Sequence, residues 1–381
     1  MSDEQPGLVT PLPGAANLAA AAKPDDSDQP AATDSALGSE LHPEIEARPD
    51  SDDHSDADSA LGDDNASITT SLRSSILQYR EENGRTYHSY LESINYVLPN
   101  DETEQDRLGM DASVDSSPSL ISLLWPDHHL FTLTLGGKIY EAPIDETRIR
   151  SILDAGTGTG VWAVDMGDKL PGVDILGVDI SPIQPTFVPP NVSFIIDDLE
   201  DEWAYPQPFD FVFGRMLVGS IGNWPRFMSQ SFENLKSGGW LELQDIVMTP
   251  RCADGTMADD SAIKIWGNTM MESCEVLKRY GDSALRYEQQ MIDAGFINVT
   301  VVEYRWPTNT WPAQQYYRDL GFWSYHNIAG SLSGLSLALF TRCLGWSAER
   351  VEVFLTSVRK EMRDRHIHAW WPIYVVYGQK P

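Results

Sequence analysis

Three glycines at alternate positions are the residues of this chain whose spacing points most directly to chemistry. Gly156, Gly158 and Gly160 follow the apolar run 151–153 and are followed by an amphipathic stretch that begins at Val161. Glycine in such a turn allows a positive φ and lets a ligand approach the main chain without a Cβ in the way. The helix after the turn presents free N–H groups and the positive end of its dipole. The sequence therefore predicts a strand–turn–helix unit that binds a ligand at the turn.

The details of this loop separate two classes of ligand. A dinucleotide fingerprint has a small residue three positions after its second glycine, and this chain has Val161 there. Asp154 precedes the loop, where its carboxylate would repel a pyrophosphate and attract a cation such as the ammonium or sulfonium of S-adenosylmethionine. The loop therefore favours S-adenosylmethionine over a dinucleotide, and a purely structural turn is the remaining alternative.

Acidic residues also end the next two apolar runs. Asp179 lies 19 residues beyond Gly160, close to the ~20-residue spacing at which a carboxylate binds ribose hydroxyls. Asp197 and Asp198 end the third run, in a position to accept a hydrogen bond from an adenine amino group. Open α/β sheets bind ligands at the carboxyl ends of their strands. We therefore predict that these acids, Asp154 and the three glycines form one cofactor site.

The pattern around these residues predicts the elements that position them. Short apolar runs alternate with amphipathic stretches, as in a βαβ sheet. The runs are 151–153, 173–178, 192–196, 209–213, 240–243, 296–302 and 373–377. Helices are expected at 161–170 and 224–236. The fold class is therefore α/β with a Rossmann-like sheet of seven strands, and Arg215 follows the fourth strand, where it either orients a cofactor carboxylate or caps a turn.

Composition divides the chain into three parts. Residues 1–72 contain 16 acidic and two basic residues and no aromatic residue, so they bury too little surface to offset their ordering entropy and are predicted to be a disordered acidic tail. Residues 73–147 are predicted to be an N-terminal helical segment with a loop insertion near 109–127. Residues 148–381 are predicted to be the main domain, with an aromatic-rich helical cap at about 305–365.

Charge and cysteine content make several functions improbable. The net charge of −30 repels nucleic-acid phosphates and anionic membranes, so neither is expected as a direct partner. Cys252, Cys274 and Cys343 are far apart, which argues against a disulfide framework or a structural zinc site. His366 and His368 share a strand face but have no evident third ligand, so no metal is predicted. Since no apolar stretch approaches ~20 residues and the N-terminus is acidic, we expect a cytoplasmic location, with the nucleus as the alternative.

At this point the sequence resembles the class I S-adenosylmethionine-dependent methyltransferases, and more narrowly the fungal LaeA-like group. The matching stretches are 81–88, 153–171, 177–185, 197–203, 214–216, 223–227, 235–246 and 366–381. The resemblance implies that the loop Asp154–Gly160, Asp179 and the pair Asp197-Asp198 hold the cofactor. It also implies that Tyr87 and His88 lie on an N-terminal segment that folds over it.

Tyr87 and His88 are accordingly the candidate catalytic residues. Methyl transfer needs a general base only when the acceptor has a proton to lose. An equal alternative for His88 is that it only anchors the segment.

Two features distinguish this chain from the LaeA-like group. About 19 residues separate the stretch 105–108 from 128–131, which usually lie within a few residues of each other in the group. The glycine loop contains Thr157, where the regulators closest to LaeA tend to have cysteine. We therefore expect a methyltransferase that acts on a small-molecule secondary metabolite. A regulator of secondary metabolism that acts through protein partners is the alternative, and a dinucleotide-dependent oxidoreductase is a distant third.

Overall fold

The computed structural model describes residues 80–87, 99–101 and 126–381. Its strands are β1 (Arg80–Glu82), β2 (Arg85–Tyr87), β3 (Ser151–Ala155), β4 (Asp174–Asp179), β5 (Val192–Ile196), β6 (Phe209–Arg215), β7 (Leu235–Ile246), β8 (Arg251–Cys252), β9 (Ile297–Pro307) and β10 (Ala369–Gln379). Its α-helices are α1 (Pro126–Thr134), α2 (Val161–Lys169), α3 (Trp224–Glu233), α4 (Ala262–Val276), α5 (Tyr287–Ala294), α6 (Gln315–Ala338) and α7 (Ala348–Arg363). A 3₁₀ turn (Ser283–Arg286) precedes α5, and a π turn (Leu339–Cys343) follows α6.

Eight strands, β3 to β10, form one central sheet. Its order is β5-β4-β3-β6-β7-β10, with β8 and β9 both pairing with β10. The strands from β5 to β7 are parallel, and β10 runs antiparallel to its neighbours β7, β8 and β9. The α/β class and all seven predicted strands are confirmed. The eighth strand is β8, whose two residues pair with Ala369 and Trp370, too short a run to be recognised from its sequence.

Buried aromatic contacts fix helix α2 against the sheet. Trp162, on the first turn of α2, stacks on Phe213 of β6 with ring centroids 3.8 Å apart. The Trp162 indole also donates a hydrogen bond to the carbonyl of Ile139 at 2.8 Å. Burying an indole of this size with its N–H satisfied is strongly favourable. The contact therefore holds the start of α2 next to the end of β6.

A helical insertion lies between β9 and β10, as the sequence predicts. It comprises α6, the π turn and α7, whereas 305–307 belong to β9. Trp311 and Tyr317, at its start, are almost fully buried, as is Trp306 in β9, and the Trp306 indole donates a hydrogen bond to Thr134 Oγ1 of α1 at 2.7 Å. Tyr317 of α6 shares a buried cluster with Trp306 and with Phe131 of α1, so the insertion packs against the rest of the domain.

The prediction of a helical segment at 73–147 was wrong for the described residues before α1. Residues 80–87 form an antiparallel hairpin of β1 and β2. Its turn is Asn83-Gly84, with φ of 53° and 77°, and an Asn-Gly pair favours such two-residue hairpin turns because both residues tolerate positive φ. The acidic tail, His88 and all of the predicted loop insertion except its last two residues lie outside the described residues.

Helices long and apolar enough to span a bilayer are absent from 80–87, 99–101 and 126–381.

Candidate functional site

A cavity opens at the carboxyl ends of β3, β4, β5 and β6. Its wall includes residues from the glycine loop, the ends of these strands, the start of α1 and the short segment 99–101. They are Pro99, Asn100, Asp127, His128, Asp154, Gly156, Thr157, Gly158, Thr159, Val161, Trp162, Asp179, Ile180, Ser181, Ile183, Asp197, Asp198, Leu199, Glu200, Phe213, Arg215, Met216, Leu217, Ser220, Ile221 and Arg279. All eight predicted cofactor residues except Gly160 are therefore in this wall.

The three loop glycines are required for different reasons. All have positive φ: 72° at Gly156, 57° at Gly158 and 82° at Gly160. A Cβ on Gly156 would lie 2.3 Å from Leu217 Cδ2, and one on Gly160 would lie 2.4 Å from the Phe194 ring. A Cβ on Gly158 would meet no atom within 4 Å. Gly156 and Gly160 thus allow close packing, while Gly158 leaves open the space beside the cavity wall.

Asp154 is a carboxylate buried at the end of β3. Asp154 is only 2% exposed, and Thr157 Oγ1 donates a hydrogen bond to its Oδ2 at 2.5 Å. Burial raises the pKa of Asp154 to about 7, against the opposing effects of the Thr157 hydrogen bond and the nearby Arg215. A cationic group entering the cavity would favour the ionised form.

Asp179 connects β4 to the glycine loop. It accepts hydrogen bonds from the backbone N–H of Gly158 at 2.8 Å and of Ser181 at 2.9 Å. Burial raises the pKa of Asp179, and these backbone hydrogen bonds partly offset that effect. The carboxylate therefore orders the loop as well as facing the cavity.

Asp197 and Asp198 lie at the end of β5. Asp197 is exposed and accepts a hydrogen bond from the Asp198 N–H at 2.9 Å, while Asp198 accepts one from the Glu200 N–H at 2.9 Å. Burial raises the pKa of Asp198. Of the two, Asp198 is the more enclosed.

Arg215 is one of two arginines in the described cavity wall and lies at the end of β6. Its guanidinium lies over the rings of Phe131 and Phe213, 4.5 and 5.3 Å from their centroids. Nε donates to Gln244 Oε1 at 2.9 Å and Nη1 donates to His128 Nδ1 at 3.1 Å. Burial lowers the pKa of Arg215 to about 10, so the side chain stays charged at neutral pH. Arg215 therefore lies in the cavity wall, and its role toward a cofactor carboxylate stays a prediction.

Sequence reasoning missed the contribution of α1. Asp127 and His128, in the first turn of α1, both line the cavity, and Asn327 Nδ2 of α6 donates to Asp127 Oδ1 at 2.9 Å. The available signal was two adjacent histidines at the start of an amphipathic stretch. Met216, a non-glycine residue with φ of 52°, is a further wall residue that the sequence did not indicate.

Tyr87 and His88 were predicted to be catalytic, and His88 lies outside the described residues. Tyr87 is 1% exposed and belongs to an apolar cluster rather than to the described cavity wall. The Arg342 guanidinium lies 4.5 Å from its ring centroid, and burial raises the pKa of its hydroxyl. Their catalytic roles therefore stay predictions.

Comparison with known proteins identifies the family. Residues 88–301 match the model of a methyltransferase domain family. The chain is 38% identical over 319 residues to methyltransferase pytC of Aspergillus terreus, covering 84% of this chain and 93% of that protein. It is 32% identical to probable methyltransferase tdiE of Emericella nidulans, covering 82% and 93%.

A third relative is protein-methionine methyltransferase laeA of Emericella nidulans, also named a secondary metabolism regulator. This chain is 32% identical to it over 308 residues, covering 80% of this chain and 77% of that protein. The family model matches more than half of the chain, and these relatives are more than 30% identical to it over most of their length. The chain belongs to the methyltransferase domain family and is a methyltransferase.

Proposed function

We propose that this methyltransferase binds S-adenosylmethionine in the cavity and transfers its methyl group to a small-molecule secondary metabolite. The observation that carries the proposal is the pair Asp154 and Arg215 in one cavity wall. A buried carboxylate and a half-buried guanidinium complement the α-ammonium and α-carboxylate of the methionine part of the cofactor. A dinucleotide instead presents two phosphates, which a buried carboxylate would repel.

The remaining wall residues suit the nucleoside part of the same cofactor. Asp179 ends the strand after the glycine loop, where a carboxylate accepts hydrogen bonds from ribose hydroxyls. Asp198 and Leu199 follow the next strand. Asp198 would accept a hydrogen bond from the adenine amino group, and Leu199 would pack against the ring. Gly158 keeps the loop open to the sugar. Asp197, which is exposed, is assigned a weaker role at the rim.

When bound, S-adenosylmethionine supplies an activated methyl group. The protein then needs chiefly to orient the cofactor and acceptor and to exclude water, and orientation alone is worth effective molarities of roughly 10⁵ M or more. Asp127, His128 and Met216 complete the wall on the side of α1 and the loop after β6. A base is required only if the acceptor is a hydroxyl or another group with a proton to lose, and Tyr87 and His88 stay the candidates for that role.

We expect cofactor binding near pH 7 to release a proton from Asp154. Its pKa of about 7 in the protein alone should fall when an ammonium group pairs with the carboxylate, since an opposite charge favours the ionised form. A fraction of a proton should therefore leave per cofactor bound near pH 7, and the affinity should decrease as the pH falls from 7.5 to 6.

Calorimetry in two buffers with different ionisation enthalpies measures this release. The matched variant is Asp154→Asn, which keeps the shape but cannot ionise. It should bind more weakly and release no proton. A wild-type affinity that does not change between pH 6 and 7.5 would contradict the placement of the ammonium at Asp154.

A second candidate function is regulation through protein partners. It is favoured by the relatives that carry the names secondary metabolism regulator and protein-methionine methyltransferase. The direct test supplies S-adenosylmethionine with a labelled methyl group to the protein together with small-molecule and protein fractions of a fungal extract. We expect label in a small molecule. Label in protein alone, or none despite demonstrated cofactor binding, would favour the regulator.

The same proposal includes partners and location. The acceptor is a small molecule, with a protein partner only in the regulatory case, and neither nucleic acid nor a membrane is a direct partner. A cytoplasmic location goes with the enzyme, and a nuclear one goes with the regulator.

A further inference from the structure

We propose that His128 and Asp165 form a positioning pair that holds the Arg215 guanidinium in the orientation required by the carboxylate of the cofactor. The inference rests on the proposed function, because it takes S-adenosylmethionine as the ligand and Arg215 as the residue that faces its carboxylate. It assigns a role to His128, which lies on α1 and not at the end of a strand like the predicted cofactor residues.

Hydrogen-bond chemistry fixes the state of the imidazole. Arg215 Nη1 lies 3.1 Å from His128 Nδ1, and Asp165 Oδ2 lies 2.9 Å from His128 Nε2. A guanidinium can only donate, so Nδ1 must accept, and Nε2 carries the hydrogen that is donated to the carboxylate. His128 is therefore neutral in this arrangement, and Asp165 selects the tautomer that Arg215 needs.

A second chain of hydrogen bonds holds the guanidinium of Arg215 through its Nε atom. Arg215 Nε donates to Gln244 Oε1 at 2.9 Å, and Gln244 Nε2 donates to Glu242 Oε1 at 2.6 Å. Glu242 is fully buried and also accepts the N–H groups of Glu141 and Ala142 at 2.8 and 2.6 Å. With aromatic rings against it as well, the guanidinium is oriented before any ligand arrives, which reduces the entropy lost on binding.

A neutral acceptor suits this position better than a charged one. A carboxylate in the place of the imidazole would pair with Arg215 and compete with the carboxylate of the cofactor. A second cation would repel the guanidinium. The imidazole accepts one Nη1 hydrogen and adds no negative charge beside the guanidinium. Asp165, the carboxylate that orients the imidazole, lies on α2. Its side chain is 41% exposed, whereas the His128 side chain is 8% exposed.

The test compares two cofactors that differ only in the group that Arg215 faces. Dissociation constants for S-adenosylmethionine and for decarboxylated S-adenosylmethionine are measured by calorimetry. The proteins are the full-length wild type, His128→Ala, His128→Asn, Asp165→Ala and His129→Ala. His129 is the matched control, since it lies next to His128 on α1 but packs edge-on against Trp323 at 4.7 Å and is not in the described cavity wall.

We expect His128→Ala to weaken S-adenosylmethionine binding about tenfold, because a half-buried guanidinium donor loses its acceptor. Binding of the decarboxylated cofactor should be nearly unaffected. Asp165→Ala should show the same selectivity with a smaller loss. Asparagine places an amide oxygen near the Nδ1 position, so His128→Asn should restore much of the affinity even if His128→Ala folds poorly. His129→Ala should match the wild type.

Two results overturn the inference in different ways. Equal weakening of both cofactors in His128→Ala and Asp165→Ala, or no weakening of either, would show that the pair does not act through the carboxylate. If the wild type binds both cofactors equally, Arg215 does not hold the carboxylate, and that part of the proposed function fails before the variants are considered.

Discussion

Replacing Gly158 by tryptophan is expected to reduce the affinity for S-adenosylmethionine by at least about 100-fold, or roughly 2.7 kcal/mol. Gly158 is in the cavity wall, and a Cβ built on it meets no atom within 4 Å. An indole at this position would extend into the space that the proposed cofactor occupies. Calorimetry with S-adenosylmethionine and with S-adenosylhomocysteine measures the loss, and methyl transfer should disappear with it.

The control for this variant is Gly255→Trp. Gly255 also has a positive φ, of 77°, and open space around its Cβ position, but it lies in an exposed turn and is not among the described wall residues. It therefore reproduces the backbone strain without filling the cavity. We expect it to bind the cofactor like the wild type. Undiminished binding by a folded Gly158→Trp protein would place the cofactor elsewhere.

Replacing Asp179 by alanine is expected to cost ~1.5–3 kcal/mol of cofactor binding, the range for losing a charge-assisted hydrogen bond. The loss has two sources, since the carboxylate faces the cavity and also accepts the N–H groups of Gly158 and Ser181. Calorimetry should show this decrease for S-adenosylmethionine and no binding of NAD(H) by either protein.

Asp174→Ala is the matched control for Asp179→Ala. Asp174 begins the same strand, at its exposed opposite end. The variant removes the same charge from β4 without approaching the cavity, so the affinity should stay at the wild-type value. An Asp179→Ala protein that binds S-adenosylmethionine normally, or a wild type that binds NAD(H), would contradict the assignment of this site.

The sequence by itself determined seven strands of the sheet and brought together seven residues of the cavity wall. Parallel strands are buried on both faces, so each appears as a short apolar run, and the carboxyl ends of such strands meet at one edge. Asp154, Asp179, Asp197 and Asp198 could therefore be grouped by counting along the chain. The glycine loop could be recognised because positive φ and close packing exclude other residues at these positions.

Local signals also account for one error. The pair Asn83-Gly84 favours a hairpin turn, yet it lies in the stretch 73–147 that was predicted to be a helical segment. In the structure both residues have positive φ, and β1 pairs with β2 across them. The preference of the Asn-Gly pair for positive φ therefore decided the local structure here, against the predicted helix.

Only the tertiary structure decided which side chains surround Arg215. His128 and Asp165 are 37 residues apart, and Gln244 lies 29 residues beyond Arg215, on elements whose sequence patterns carry no information about each other. Their contact depends on how α1 and α2 pack against the ends of β6 and β7. Hydrogen bonds between residues this far apart in sequence depend on where packing places their backbones. The orientation of Arg215 and its neutral partner His128 could therefore be identified only from the tertiary structure.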